Sequence, residues 1–128
     1  MSRRPVDPVV YLQEAAEAIR KYNHATYATT HNPHPLPYPG EAYRAIAAFK
    51  ALAERLPQAF EHTGNALDSL ADTGHVMATH GDVDHHVSAA INALTDAEDL
   101  ARSLTTALER AHSATGVLGY TDLDTESE

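Results

Sequence analysis

The chain has 128 residues, 43% of them hydrophobic, with 9 basic against 18 acidic residues, a formal net charge of −9, and neither cysteine nor tryptophan. That length suits one domain, the aliphatic content separates the chain from disordered sequences, and no apolar run reaches the roughly 18–20 residues that span a bilayer. The acidic excess, with only the two lysines Lys21 and Lys50, argues against binding a phosphate backbone, and the lack of cysteine excludes a disulfide framework, a thiol nucleophile and a zinc–thiolate site.

Asp7-Pro8 followed by Val9-Val10-Tyr11-Leu12 predicts a helix start, with Asp7 accepting orphan amide protons and Pro8 at the first helical position, where its missing N–H costs nothing. This first helix is expected to run to about Thr29, with a stripe of Val9, Leu12, Ala16, Ile19, Asn23 and Thr26 and an outer Glu17–Lys21 pair. Arg3 and Arg4 have no apolar h-region behind them, so the expected compartment is the cytoplasm. Prolines at 33, 35, 37 and 39 then predict an extended connector, since each fixes φ and disfavours helix in the residue before it.

Ala42, Ile46, Phe49, Ala53, Leu56, Phe60, Thr63, Leu67, Leu70 and Gly74 follow an unbroken four-three spacing that continues through Pro57. One long helix from about Glu41 to Asp72, kinked at Pro57, is therefore favoured over two helices split there, and Gly74 suits the left-handed position that ends it. After a loop over Thr73 to Gly81, Asp82 is the expected N-cap of a third helix with Asp84 in its first turn. Val83, Val87, Ala90, Leu94, Ala97, Ala101, Leu104, Leu108, Ala111, Thr115 and Leu118 form its heptad seam, Gly116 is its expected end, and an acidic disordered tail is expected over 119–128.

The fold class that follows is all-α: an elongated antiparallel bundle of three main helices in a single domain over 1–118, with large residues of the second helix facing small ones of the third. The first helix is expected to cover one groove of this hairpin. Ile91 and Leu100, beside the seam of the third helix, are the candidate surface for a partner.

Thr79-His80-Gly81-Asp82-Val83-Asp84-His85-His86 is the densest run of metal-ligand side chains, with His80, Asp82, Asp84 and His85 as candidate ligands. Its spacing resembles the T-H-x-H-x-D-H motif of the metallo-β-lactamase fold, but Asp82 stands where that family has histidine, and the strands that fold requires are missing. A helix cap explains Asp82 and Asp84 without a metal. No H-E-x-x-H, G-x-S-x-G, P-loop or G-x-G-x-x-G pattern occurs, so neither an enzyme nor a cofactor is expected.

Tyr11-Leu12 in an Ala/Glu-rich first helix, Arg55-Leu56-Pro57-Gln58 in the second and Ala111-His112-Ser113-Ala114-Thr115-Gly116 closing the last are together similar to small uncharacterised all-helical proteins of actinobacteria. Tyr120-Thr121-Asp122-Leu123-Asp124, trailing the hairpin, resembles the Y-x-x-x-[DE] signal of WXG100-type substrates of type VII secretion, although the Trp-x-Gly turn of that family is absent. The resemblance implies an exported helical hairpin whose Tyr120 and Asp124 are read by the export machinery. The residues themselves favour a non-enzymatic interaction module that binds itself or another helical protein, and neither nucleic acid nor membrane; a metal-binding helical protein is the third reading.

Overall fold

The computed structural model describes residues 6–121. Its fold is all-α, with three helices, α1 (Val9–Ala25), α2 (Pro39–Asp72) and α3 (Val83–Thr115), and no strand among the described residues. The chain divides into two units between Tyr38 and Pro39.

The first unit holds α1 and the proline-rich connector. Asp7 Oδ1 accepts the Val9 N–H at 3.0 Å, so the carboxylate satisfies an orphan donor as its sequence position predicts, while Pro8 already has helical backbone angles. The helix ends four residues earlier than expected. Both the amide and the hydroxyl of Thr26 donate to the Tyr22 carbonyl, at 2.9 and 2.7 Å, and the chain then turns out of the helix. No residue of α1 is buried; Ile19, Tyr22 and Thr26 are half-covered, whereas Val9 and Leu12 of the expected stripe are exposed. Glu17 grips Arg20 through two hydrogen bonds of 2.7 and 2.9 Å in place of Lys21. In the connector, Thr29 and Asn32 close a small loop, Thr29 accepting the Asn32 N–H at its hydroxyl and donating its own amide to the Asn32 carbonyl.

The second unit is a helical hairpin. α2 opens at Pro39, two residues before the expected start, because the fixed φ and missing donor of proline fit the first helical position. It then runs unbroken through Pro57 for 34 residues, about 51 Å at 1.5 Å per residue. Its end is built as the sequence predicts: the Thr73 and Gly74 amides reach back to the Leu70 and Ala71 carbonyls, and Gly74 takes a φ of +78° that side-chain-bearing residues avoid. Asp82, with extended backbone, accepts the His85 N–H at 3.2 Å and starts α3. Gly116 closes α3 at φ −64°, its amide on the His112 carbonyl, so it acts here without left-handed geometry.

Facing contacts fix α2 and α3 as antiparallel: Tyr43 stacks on His112 with ring centres 4.2 Å apart, Lys50 reaches Glu109, and Gly64 lies against Leu94. The seam itself departs from the expected one. Thr63, Leu70, Leu104 and Leu118 are exposed, and Gly64, Ala71 and Thr105 take positions one residue later than the first three. A strict heptad assumes 3.5 residues per turn, whereas a straight helix has 3.6 and drifts by about 20° per heptad, so after about three heptads the drift exceeds half the roughly 100° between neighbours and the buried line passes to the next residue. Burial is also smaller than large-on-small packing implies. The buried residues are Ala53 and Gly64 of α2 and Ala101 of α3, small on both sides, and no large side chain among the described residues is fully buried.

Candidate functional site

At about 100° per residue, α2 and α3 each present two flanks beside the seam, and in an antiparallel pair the flanks join across the hairpin into two open faces. One face is polar. Lys50 Nζ lies 2.7 Å from Glu109 Oε2 across the helices and 3.7 Å from Glu54 on its own helix. Glu54, Pro57, Gln58 and Glu61 line a surface depression with Arg102 and Thr105, and Arg102 pairs with Asp99 at 3.2 Å and, more loosely, with Glu98 at 3.9 Å. The Lys50 hydrogen bond and its charge hold the Glu109 carboxyl below the ordinary carboxylate value, against a small opposing effect of desolvation. Reciprocally, the hydrogen bond to Glu109 raises Lys50, with the charges of Glu109 and Glu54 adding to it and desolvation opposing.

The opposite face is apolar. On α2 it comprises Ala45, Leu52, Leu56, Ala59, Thr63, Ala66 and Leu70; on α3, Ala93, Ala97, Leu100, Leu104, Ala107 and Ala111. None of these side chains ionises. Leu52 is 39% exposed, Leu104 45%, Leu70 57% and Leu100 70%. Four leucines in water on one uncharged face contrast with the ion-paired face behind them.

Ile91 and Leu100, expected together at the partner surface, lie on different faces. Nine residues are two and a half turns, which sets them about 180° apart around α3. Ile91 is half-buried on the polar side, in a gap of about 170 Å³ with Phe60, Gly64 and Leu94. Leu100 belongs to the apolar face, together with Leu52, which the sequence spacing does not single out, and Leu70 and Leu104, which it assigns to the buried seam. Their signal was available in the i,i+4 pairs Leu52/Leu56 and Leu100/Leu104, which widen the apolar stripe beyond a two-position seam.

The hairpin tip gathers the histidine-rich run. His86 Nε2 donates to the His80 carbonyl at 2.8 Å, the two rings meet edge to face at 5.4 Å, and the His85 ring lies 5.9 Å from that of His86. Gly81, at φ +75°, permits this: a Cβ there would fall 2.7 Å from His86 Nε2. Leu67, Val76, Ala78, Val83 and Val87 form the apolar wall of a shallow cup of about 410 Å³ beside His80 and His86. Among the described residues no three histidine, aspartate or glutamate side chains come together as a set able to hold a metal ion. The expected ligands His80, Asp82, Asp84 and His85 are therefore not assembled: Asp82 is turned back onto the His85 amide, and Asp84 and His85 leave the helix in directions about 100° apart. Tyr120 is 66% exposed beyond the end of α3, and Asp124 lies outside the described residues, as does the acidic tail from 122 onward.

No described helix is long and apolar enough to cross a membrane. No protein-family model, curated protein or solved structure matches the chain.

Proposed function

We propose that the protein is a non-enzymatic helical interaction module that binds a helical protein surface through the apolar face of its α2–α3 hairpin. The observation that carries this reading is the exposure of Leu52, Leu70, Leu100 and Leu104 on one face without an ionisable side chain, opposite a face stitched by Lys50, Glu109 and Arg102. Exposed leucines at helical spacing fit an apolar groove or a facing helix, as in helix-in-groove recognition. The lack of charge makes the recognition one of shape and desolvation, so it tolerates salt.

The test is a photo-crosslinking residue placed at Leu100 or, as control, at Thr95 on the opposite flank, in the source cell. Adducts at position 100 and none at 95 support the module. Equal yields at both positions, or none at either, would overturn it.

A further inference from the structure

We infer that the partner for this face is a second copy of the chain, two hairpins closing face to face into a four-helix bundle. This rests on the interaction-module reading above and names its partner.

Three observations favour a second copy. First, the hairpin is half of a core. Its fully enclosed hydrophobic residues are Ala53 and Ala101 alone among those described, and Leu52, Leu70, Leu100 and Leu104 stand at the edge of the contact instead of inside it. Two helices enclose little; four helices set about 20° from antiparallel enclose a full core, with each pair supplying one apolar face. The near-equal lengths of α2 and α3, 34 and 33 residues, let two hairpins match end to end without overhang.

Second, the area suffices. From position 45 to position 70 the face is about 38 Å long at 1.5 Å per residue, and two helices about 10 Å apart make it about 20 Å wide. The resulting footprint, about 750 Å² on each copy, is close to the roughly 800 Å² per partner of a stable specific interface.

Third, the charge pattern permits it. The face itself carries no charge, so pairing buries none despite the net −9 of each chain. Its outer edges carry Arg55 and His62 on the α2 side and Asp96 and Arg110 on the α3 side. A twofold axis along the bundle lays the α2 edge of one copy beside the α3 edge of the other, antiparallel. His62 and Asp96 then stand at nearly the same height, in the register that Lys50 and Glu109 define within one hairpin.

Sedimentation equilibrium of the full-length chain from ~5 to ~200 µM at about 0.15 M salt tests the inference. The expected species is twice the 13.8 kDa chain. Leu100→Glu, which buries an unpaired charge in the interface, should weaken the dimer by about 100-fold or more, while Thr95→Glu on the polar side leaves it unchanged. Raising salt should tighten the wild-type dimer, because it screens the repulsion between two acidic chains without weakening an uncharged contact. Helicity by circular dichroism accompanies each variant. If Leu100→Glu fails to fold, Leu100→Ala decides: about tenfold weaker pairing supports the inference, and unchanged pairing overturns it.

A wild-type chain at 13.8 kDa throughout overturns self-pairing. If position 100 nevertheless yields adducts with another protein in the cell, the interaction-module reading stands without it; a monomer with no adducts removes both. A dimer that survives Leu100→Glu and Leu104→Glu together places the interface elsewhere and overturns the face assigned here.

Discussion

Gly64 sits in the middle of α2, buried, where α3 approaches closely, and a glycine at such a point usually signals that nothing larger fits. The geometry here says otherwise. A Cβ built on Gly64 meets only Leu94 Cδ1, at 3.7 Å, an ordinary van der Waals distance, and the adjoining gap of about 170 Å³ offers room for relaxation. Gly64→Ala therefore adds no clash, and it removes the backbone entropy that glycine loses in a helix interior, a gain of about 0.8–1 kcal/mol. For a unit of this size that corresponds to a rise in Tm of about 4–8 °C. Gly64→Leu, by contrast, extends beyond its Cβ into Leu94, which must shift, and should cost about 1–3 kcal/mol. Because Gly64 is on the side of the seam away from Leu100, the result does not depend on pairing. Thermal and urea unfolding followed by circular dichroism at 222 nm read both variants, the wavelength being that of helical signal. A loss of stability in Gly64→Ala beyond about 0.5 kcal/mol would mean that the helices touch at this point, refuting the register from which both open faces are derived.

The seam correction separates two leucines that a heptad treats alike: Leu67→Ala, half-buried under the hairpin tip, should cost about 2 kcal/mol, whereas Leu104→Ala, 45% exposed, should cost less than half as much in the monomeric hairpin, as measured by denaturant midpoints below the dimerisation range. Pro57→Ala restores an amide donor to the Ala53 carbonyl inside a continuous helix, so stability should rise by about 1–2 kcal/mol after allowance for the stiffer unfolded chain that proline provides; a loss on urea titration would show that proline is needed there as the start of a separate helix. Glu109 has its proton affinity lowered in the folded state by Lys50, so its contribution is present above the ordinary carboxylate value of 4.5 and disappears as pH falls through the lower folded value; Glu109→Gln should accordingly be less stable than wild type at neutral pH and indistinguishable from it once Glu109 is protonated, in Tm measured across the acid range. A Glu109→Gln difference that persists unchanged under acid would place its cause in packing instead of in the ion pair.

The fold was legible because helix signals in this chain are local and mutually consistent. Asp7 and Asp82 both satisfy amide donors at helix starts, Gly74 takes the left-handed turn that its position after α2 requires, and the four-three spacing that passes through Pro57 corresponds to one uninterrupted helix. What failed was phase and extent. A heptad written from the sequence carries an assumption about supercoiling, and a small angular error grows until Thr63 replaces Gly64 and Leu104 replaces Thr105 on the expected buried line. The end of α1 was misplaced for another reason: Thr26 can place both its donors on one carbonyl, and nothing in its hydrophobic spacing announces that choice.

The candidate site was less legible, since a surface is defined by what remains after packing, and packing was known only to within one residue. Leu100 and Ile91 are equally apolar and both flank the seam, yet their nine-residue separation sends them to opposite faces, and only the cross-helix pairs Lys50–Glu109 and Gly64–Leu94 reveal which flank of α2 each one joins. The histidine run misled in the opposite direction. Adjacent ligand types in sequence suggest convergence, but at a helix start successive side chains diverge, and the first carboxylate is already committed to the helix itself, as Asp82 is to the His85 amide. The same chemistry that makes such a run look like a binding site, a carboxylate beside exposed donors, is what a helix needs to begin. Exposed leucines have no comparable structural use: on Leu100, 70% in water with Ala97 and Ala107 on the same face, the unfavourable hydration is uncompensated within the hairpin, and covering it is what would give the proposed partner its binding energy.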